Sequence, residues 1–222
     1  MTNYKQRFEL ALPRDLETAL AEAPVAYVPL GTLEFHGWHL PLGFDALKAH
    51  ALCLRACERT GGMVLPPSYF GFAGGHRDYP GSIISEEAHV AGNLRITLDR
   101  LHAMGFRVAV VLTGHYPHEQ VDLVHAAARE AEAAHPGFRV VGLAEPEAFK
   151  DWRGDHAAKW ETAVAMSLMP DRVRFDAMAG REDPLHGICG EDPREHATPC
   201  LGDDTVAGIV DRLVARVAEA CR

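Results

Sequence analysis

Residues 31–45, "GTLEFHGWHLPLGFD", follow directly on the apolar run "VAYVPL" and bring together Glu34, His36, His39 and Asp45. Carboxylates and imidazoles are the oxygen and nitrogen ligands of zinc-like divalent ions. On an extended segment Glu34 and His36 point to the same side and can reach neighbouring ions. Asp45 carries two oxygens, which can hold two cations about 3.5–4 Å apart, as in two-metal hydrolases. His115 in "TGHYPHEQ" is a further candidate, and Glu161 in "GDHAAKWETAVAMSLMP" is the best remaining one. His156 precedes Glu161 at the start of an expected helix, where one of the pair would act on substrate while the other binds metal. His39 fits a supporting role behind the ligands. Three carboxylates, two divalent ions and a bridging hydroxide make a neutral cluster, which permits burial, and such a hydroxide is a nucleophile near neutral pH.

Each residue type also has a commoner use. Asp45 before "ALKAH" has the pattern of a helix N-cap. A histidine after a strand is often a loop residue, and His50, His89, His102, His125 and His135 fall in helical segments and are expected to face solvent. Trp152 and Trp160 read more readily as packing residues than as substrate clamps.

The elements that must position these residues are legible as alternating patterns. "VAYVPL" (25–30), "RVAVVLTGH" (107–115) and "FRVVGL" (138–143) are apolar and β-branched, as strands buried on both faces require, and "GMVLPP" (61–66) is a shorter fourth candidate. Helical segments lie between them: "DALKAHALCLRACERT", "HVAGNLRITLDRLHAMG" closed by Gly105, and "EQVDLVHAAAREAEAAH" closed by "PG". The final "DDTVAGIVDRLVARVAEAC" has apolar residues at helical spacing. Alternation of this kind predicts an α/β fold, a three-layer α/β/α sandwich with a mostly parallel central sheet. Ligands of such sheets sit beyond the carboxyl ends of the strands, where "GTLEFHG" and "TGHYPHEQ" both begin.

The length of 222 residues is expected to form a single domain spanning 1–222. A formal charge of -9 argues against nucleic acid as a partner. No stretch reaches the apolar length of a membrane span, and the start "MTNYKQRFEL" lacks a signal-peptide core, so a cytoplasmic protein acting on a small molecule is expected. The five cysteines, with Cys53 and Cys57 on one helix face, are expected to be free thiols.

The motifs now assembled resemble the creatininase (creatinine amidohydrolase) family. "PLGTLEFHGWHLPLGFD" resembles its opening signature, "GGHRDYPGSIIS" (74–85) its Gly-Gly-His segment, "TGHYPHEQ" its Asn-Gly-His segment, "DHAAKWET" its His-Ala-Gly-x-x-Glu-Thr segment and "GICGEDPREHAT" (187–198) a late glycine-rich loop. The resemblance runs from about residue 25 to 215. It implies two divalent ions of the zinc or manganese kind and a homohexamer. Carried over, Glu34, Asp45 and His115 would hold one ion, and His36, Asp45 and Glu161 the other. His156 would shuttle a proton, oriented by Asp155, and Tyr116, Trp152 and His118 would contact substrate.

The chain departs from the creatinine-hydrolysing pattern at Thr113, at Pro117 in place of a Glu, with His118 and Glu119 beside it, and at Glu145 and Pro146 where those enzymes carry a Trp. The expectation is therefore hydrolysis of a small polar, cyclic amide-like substrate, with these departures speaking against creatinine specificity. The alternatives are opening of a cyclic ketone such as a keto-inositol by C–C cleavage, and a non-catalytic metal-stabilised assembly protein.

Overall fold

The structure, a computed structural model, describes residues 6–222 apart from 150, 153 and 181. In chain order its main elements are α1 (Pro13–Glu22), β1 (Val25–Leu30), α2 (Phe44–Thr60), β2 (Met63–Val64), α3 (Glu87–Met104), β3 (Val108–Thr113), α4 (His118–Ala134), β4 (Arg139–Ala144), α5 (Glu145–Ala148), α6 (Lys159–Leu168), α7 (Pro193–His196) and α8 (Pro199–Ala220). The described strands form one sheet in the order β2-β1-β3-β4, and every pairing within it is parallel. β2 is shorter than "GMVLPP" promises. Pro66 and Pro67 have no N–H to give a ladder, so pairing ends at Tyr27↔Val64.

Strand alternation splits the core in two. Tyr27, Val110, Leu112, Val141 and Leu143 pack against residues of α2, α6 and α8, including Leu52, Val164 and Ile209. Ala26, Val28, Ala109, Val111 and Val140 face the other way, onto Leu94 and Leu98 of α3 and Val124 and Ala128 of α4. Period-2 side chains on an all-parallel sheet leave both faces apolar, and right-handed crossovers cover both with helix. α3 ends as anticipated, at Gly105 in the left-handed conformation with φ 104°. His50 departs from expectation: α2 lies against the sheet, and this residue is 9% exposed rather than solvent-facing. Among the described residues no helix is long and apolar enough to cross a membrane.

Strand order places the site. β1 leads by way of α2 to its neighbour on one side, β3 leads by way of α4 to its neighbour on the other, and a crevice opens between their carboxyl ends, with Leu30 opposite Thr113.

Candidate metal centre

Glycine makes the approach at these two strand ends possible. A Cβ on Gly31 would lie 2.1 Å from the Ala46 backbone nitrogen, and one on Gly114 would lie 2.3 Å from the Asp45 carbonyl oxygen. The first turn of α2 therefore sits directly on the crevice. Asp45 lies in that turn but makes no cap, since the N-cap position is Gly43 and Asp45 turns its carboxylate into the protein. Beyond Gly31 the chain stays extended, tied at Leu33 to Ile83, and the loop closes where the Glu34 N–H donates to the Leu42 carbonyl.

Glu34, Asp45 and His115 offer ligand atoms within 4.8 Å of one another, and so do His36, Asp45 and Glu161. Asp45 belongs to both groups. Its Oδ2 lies 3.1 Å from His115 Nδ1, and its Oδ1 lies 3.0 Å from His36 Nε2. Glu34 Oε2 is 3.0 Å from His115 Nδ1, and Glu161 Oε2 is 3.5 Å from His36 Nε2. The outer ring nitrogens are engaged elsewhere. His36 Nδ1 donates to the Glu34 carbonyl at 3.0 Å, and His115 Nε2 to the Phe72 carbonyl at 3.1 Å. A proton fixed there makes the facing nitrogen the one that gives its lone pair to a metal once its own proton has left. Buried His36 Nε2 and Asp45 Oδ2 have no hydrogen-bond partner, their near contacts being too poorly aligned to count as bonds. Orphaned donor-type atoms in two groups joined by one carboxylate fit a pair of divalent ions.

Protonation is the substitute for metal in this pocket. Burial would push the His36 imidazole down, yet the Asp45 and Glu161 carboxylates carry it up to about 9. His115 likewise overcomes burial, through Asp45 and Glu34, and rises to about 10. Glu34, despite burial, is held below the usual carboxylate range by His115 and His76. His156 behaves oppositely: burial and the nearby His36 charge press it down to about 4.

His156 Nε2 donates to the Phe35 carbonyl at 2.8 Å, while Nδ1 faces Glu34 Oε2 at 3.9 Å. Its orientation therefore comes from Phe35 and not from Asp155, whose carboxylate instead receives the Trp160 N–H at 2.8 Å and the Glu161 N–H at 3.3 Å at the start of α6. Tyr116 lines the cavity and holds its hydroxyl 2.8 Å from both Glu161 Oε1 and the Asp155 carbonyl, its single proton shared between the two acceptors. His39 lies behind the groups, its Nε2 3.0 Å from Thr162 Oγ1. The two other proposed substrate contacts stand away from the cavity. Trp152 is 1% exposed and packs edge-on beneath Tyr116 as a core residue, and His118 is exposed at the first position of α4. Neither lines the cavity of ≈ 240 Å³ above the groups.

Three participants escaped the sequence reading. Lys48 is fully buried, bonded to Glu161 Oε1, 3.5 Å from Asp45 Oδ1 and 3.3 Å from Glu145 Oε2. Its place one turn after Asp45 was the available signal, since i and i+3 share a helix face. Glu145 is buried at the end of β4, where burial raises it to about 8 against the pull of Lys48. His76 stacks on His156 with ring centroids 3.9 Å apart and places Nδ1 3.2 Å from Glu34 Oε1. It lies in the quoted "GGHRDYPG" segment, but nothing in its spacing tied it to Glu34.

A family described as "Creatininase: Creatinine amidohydrolase" matches residues 12–217. Creatinine amidohydrolase of Pseudomonas putida is 28% identical over 200 residues, covering 79% of this chain and 77% of that protein. Mycofactocin precursor peptide peptidase of Mycobacterium ulcerans (strain Agy99) is 28% identical over 221 residues, covering 89% and 83%. A crystal structure of creatininase superposes with TM-score 0.81 at 24% identity, covering 96% of this chain and 97% of that one. A mutant creatininase of the Zn-Zn type superposes with TM-score 0.77 at 25% identity, over 96% of this chain and 97% of the other. A manganese creatininase gives 0.72 at 24%, over 98% and 97%.

Proposed function

The chain belongs to the creatininase family, and on that premise we propose that it is an amidohydrolase cleaving a C–N bond of a small polar, cyclic amide-like substrate. Two zinc or manganese ions would be held by Glu34, Asp45 and His115 and by His36, Asp45 and Glu161. The observation that carries the reading is Asp45, with one oxygen turned to each group and the inward nitrogen of a backbone-anchored histidine beside each oxygen. When bound, the ions supply Lewis acidity and a water deprotonated near neutral pH.

The chain's own residues do the rest. Asp155 and Tyr116 fix Glu161, the first by holding the start of α6 and the second by bonding Oε1 directly. His156 keeps a proton on Nε2 for Phe35 and leaves Nδ1 open, so this atom can take a proton and return it to a leaving nitrogen. The cavity suits a small substrate, and with Pro117 rather than a carboxylate on its wall Glu161 is the carboxylate left to complete the second group.

A peptide substrate is the second reading, favoured by the peptidase relatives. A panel of amides, lactams and short peptides, scored for released ammonia or amine, separates the two. Release from none of them with both ions bound would sink the hydrolase reading. Hexameric assembly belongs to the same proposal, supported by exposed Trp38, Phe70 and Ile83, apolar surface that assembly would cover. A cytoplasmic site is supported by the free cysteines.

A further inference from the structure

Lys48 is an ammonium with no exposed surface in the interior of a site built for cations. It touches both carboxylates that the second ion would share, Glu161 through Oε1 and Asp45 through Oδ1 at 3.5 Å. The rings of Phe44 and Tyr116 enclose it, with centroids 4.7 Å and 4.9 Å from Nζ, and its remaining carboxylate neighbour is Glu145 at 3.3 Å. No lysine or arginine is paired with Glu34 among the described residues, and beside His115 its neighbours there are the imidazoles of His76 and His156. The two ion positions are therefore electrostatically unequal.

We propose that Lys48 is a resident competitor of the second divalent ion, holding Glu161 by one oxygen and opposing charge at the His36–Asp45–Glu161 position, so that the two positions fill in order. The Glu34–Asp45–His115 position fills first and tightly, and the other fills second and weakly. Glu161 turns Oε2, which also accepts the Ala157 N–H at 2.7 Å, towards His36, while Oε1 is held by Lys48 and Tyr116. A fixed positive charge a few ångströms from a divalent ion in a dry interior lowers its affinity. Lys48 is thus a positioning residue, acting through Glu161 and Asp45.

The inference rests on the two-ion reading, and equilibrium dialysis against graded free manganese, with bound metal counted by plasma mass spectrometry, tests both. Wild type should load in two steps, the weaker one absent in His36→Ala. In Lys48→Met the weaker Kd should fall about tenfold while the tighter one stays within about threefold. Should Lys48→Met fail to fold by thermal melting, Lys48→Met combined with Glu145→Gln removes the ammonium and gives its buried carboxyl partner a neutral amide, and should tighten the second step in the same direction. A second-step Kd that stays unchanged or rises in the folded variant overturns the role of Lys48 and leaves the metal centre standing. Absence of any bound manganese in wild type overturns both.

Discussion

At the scale of single residues, Asp45 is the joint of the site, because no other described side chain contributes to both the Glu34–His115 and the His36–Glu161 groups. Asp45→Ala should therefore take metal content from about two ions per chain to almost none, as counted on protein purified without chelator; a variant that kept one ion would show that Asp45 does not bridge. His156 makes a separable prediction. His156→Ala should lower turnover by about 10²–10⁴-fold with metal content unchanged. Because His156 also stands with Glu34 and His36 in a third group of potential ligand atoms, loss of metal from this variant would reassign it as a ligand. The histidines facing Asp45 predict a third result. With His36 raised to about 9 and His115 to about 10, both are charged near neutral pH in the metal-free chain, so loading should release about two protons. Calorimetry in buffers of different ionisation enthalpy reads that number, and a value near zero would contradict the protonated state.

At the scale of elements, the site depends on how α2 meets β1 and β3. Gly114 leaves room for the Asp45 carbonyl, and a methyl group there would collide with backbone, which cannot swing aside. Gly114→Ala should cost about 1–3 kcal/mol in denaturant unfolding and weaken metal binding, because the turn that shifts is the one carrying Asp45. Unchanged metal affinity in a destabilised variant would break that link. Element boundaries were largely legible: the observed Val25–Leu30 coincides with "VAYVPL", and β3 and β4 fall within a residue or two of their apolar runs. α1 was not read from the sequence although its apolar residues stand at helical spacing, and none of its residues is buried. Glu161, already singled out in the sequence, is aimed at His36 by the first turn of α6.

At the scale of the whole molecule, the metal-free chain carries its site charge as imidazolium and ammonium, which makes stability depend on pH in a defined direction. His36 and His115 titrate above their ordinary 6.5, so their contribution is complete below 6.5 and is lost as pH rises through about 9 to 10. His39 and His156, each pressed to about 4, contribute above 6.5 and lose that contribution as pH falls towards 4. Chelated protein should therefore melt lower once the pH has passed 9 than it does near pH 6.5, while ion-loaded protein should keep its melting temperature over that interval. A flat or rising profile for the chelated chain would refute this balance. Assembly is tested at the same scale by sedimentation, where the proposed hexamer has six times the mass of the 24.3 kDa chain.

The sequence by itself determined the strand–helix alternation, hence a parallel sheet with its site at the carboxyl ends, and the residue types able to hold metal there, because periodicity and strand ends are local properties of the chain. Tertiary structure decided what local pattern cannot carry: that Lys48 and Glu145, from opposite halves of the chain, meet inside the site, and that Asp155 holds the start of a helix while Phe35 holds His156. A buried charge has no periodic signature, and its partner is chosen only when helix α2, strand β4 and helix α6 close on one another.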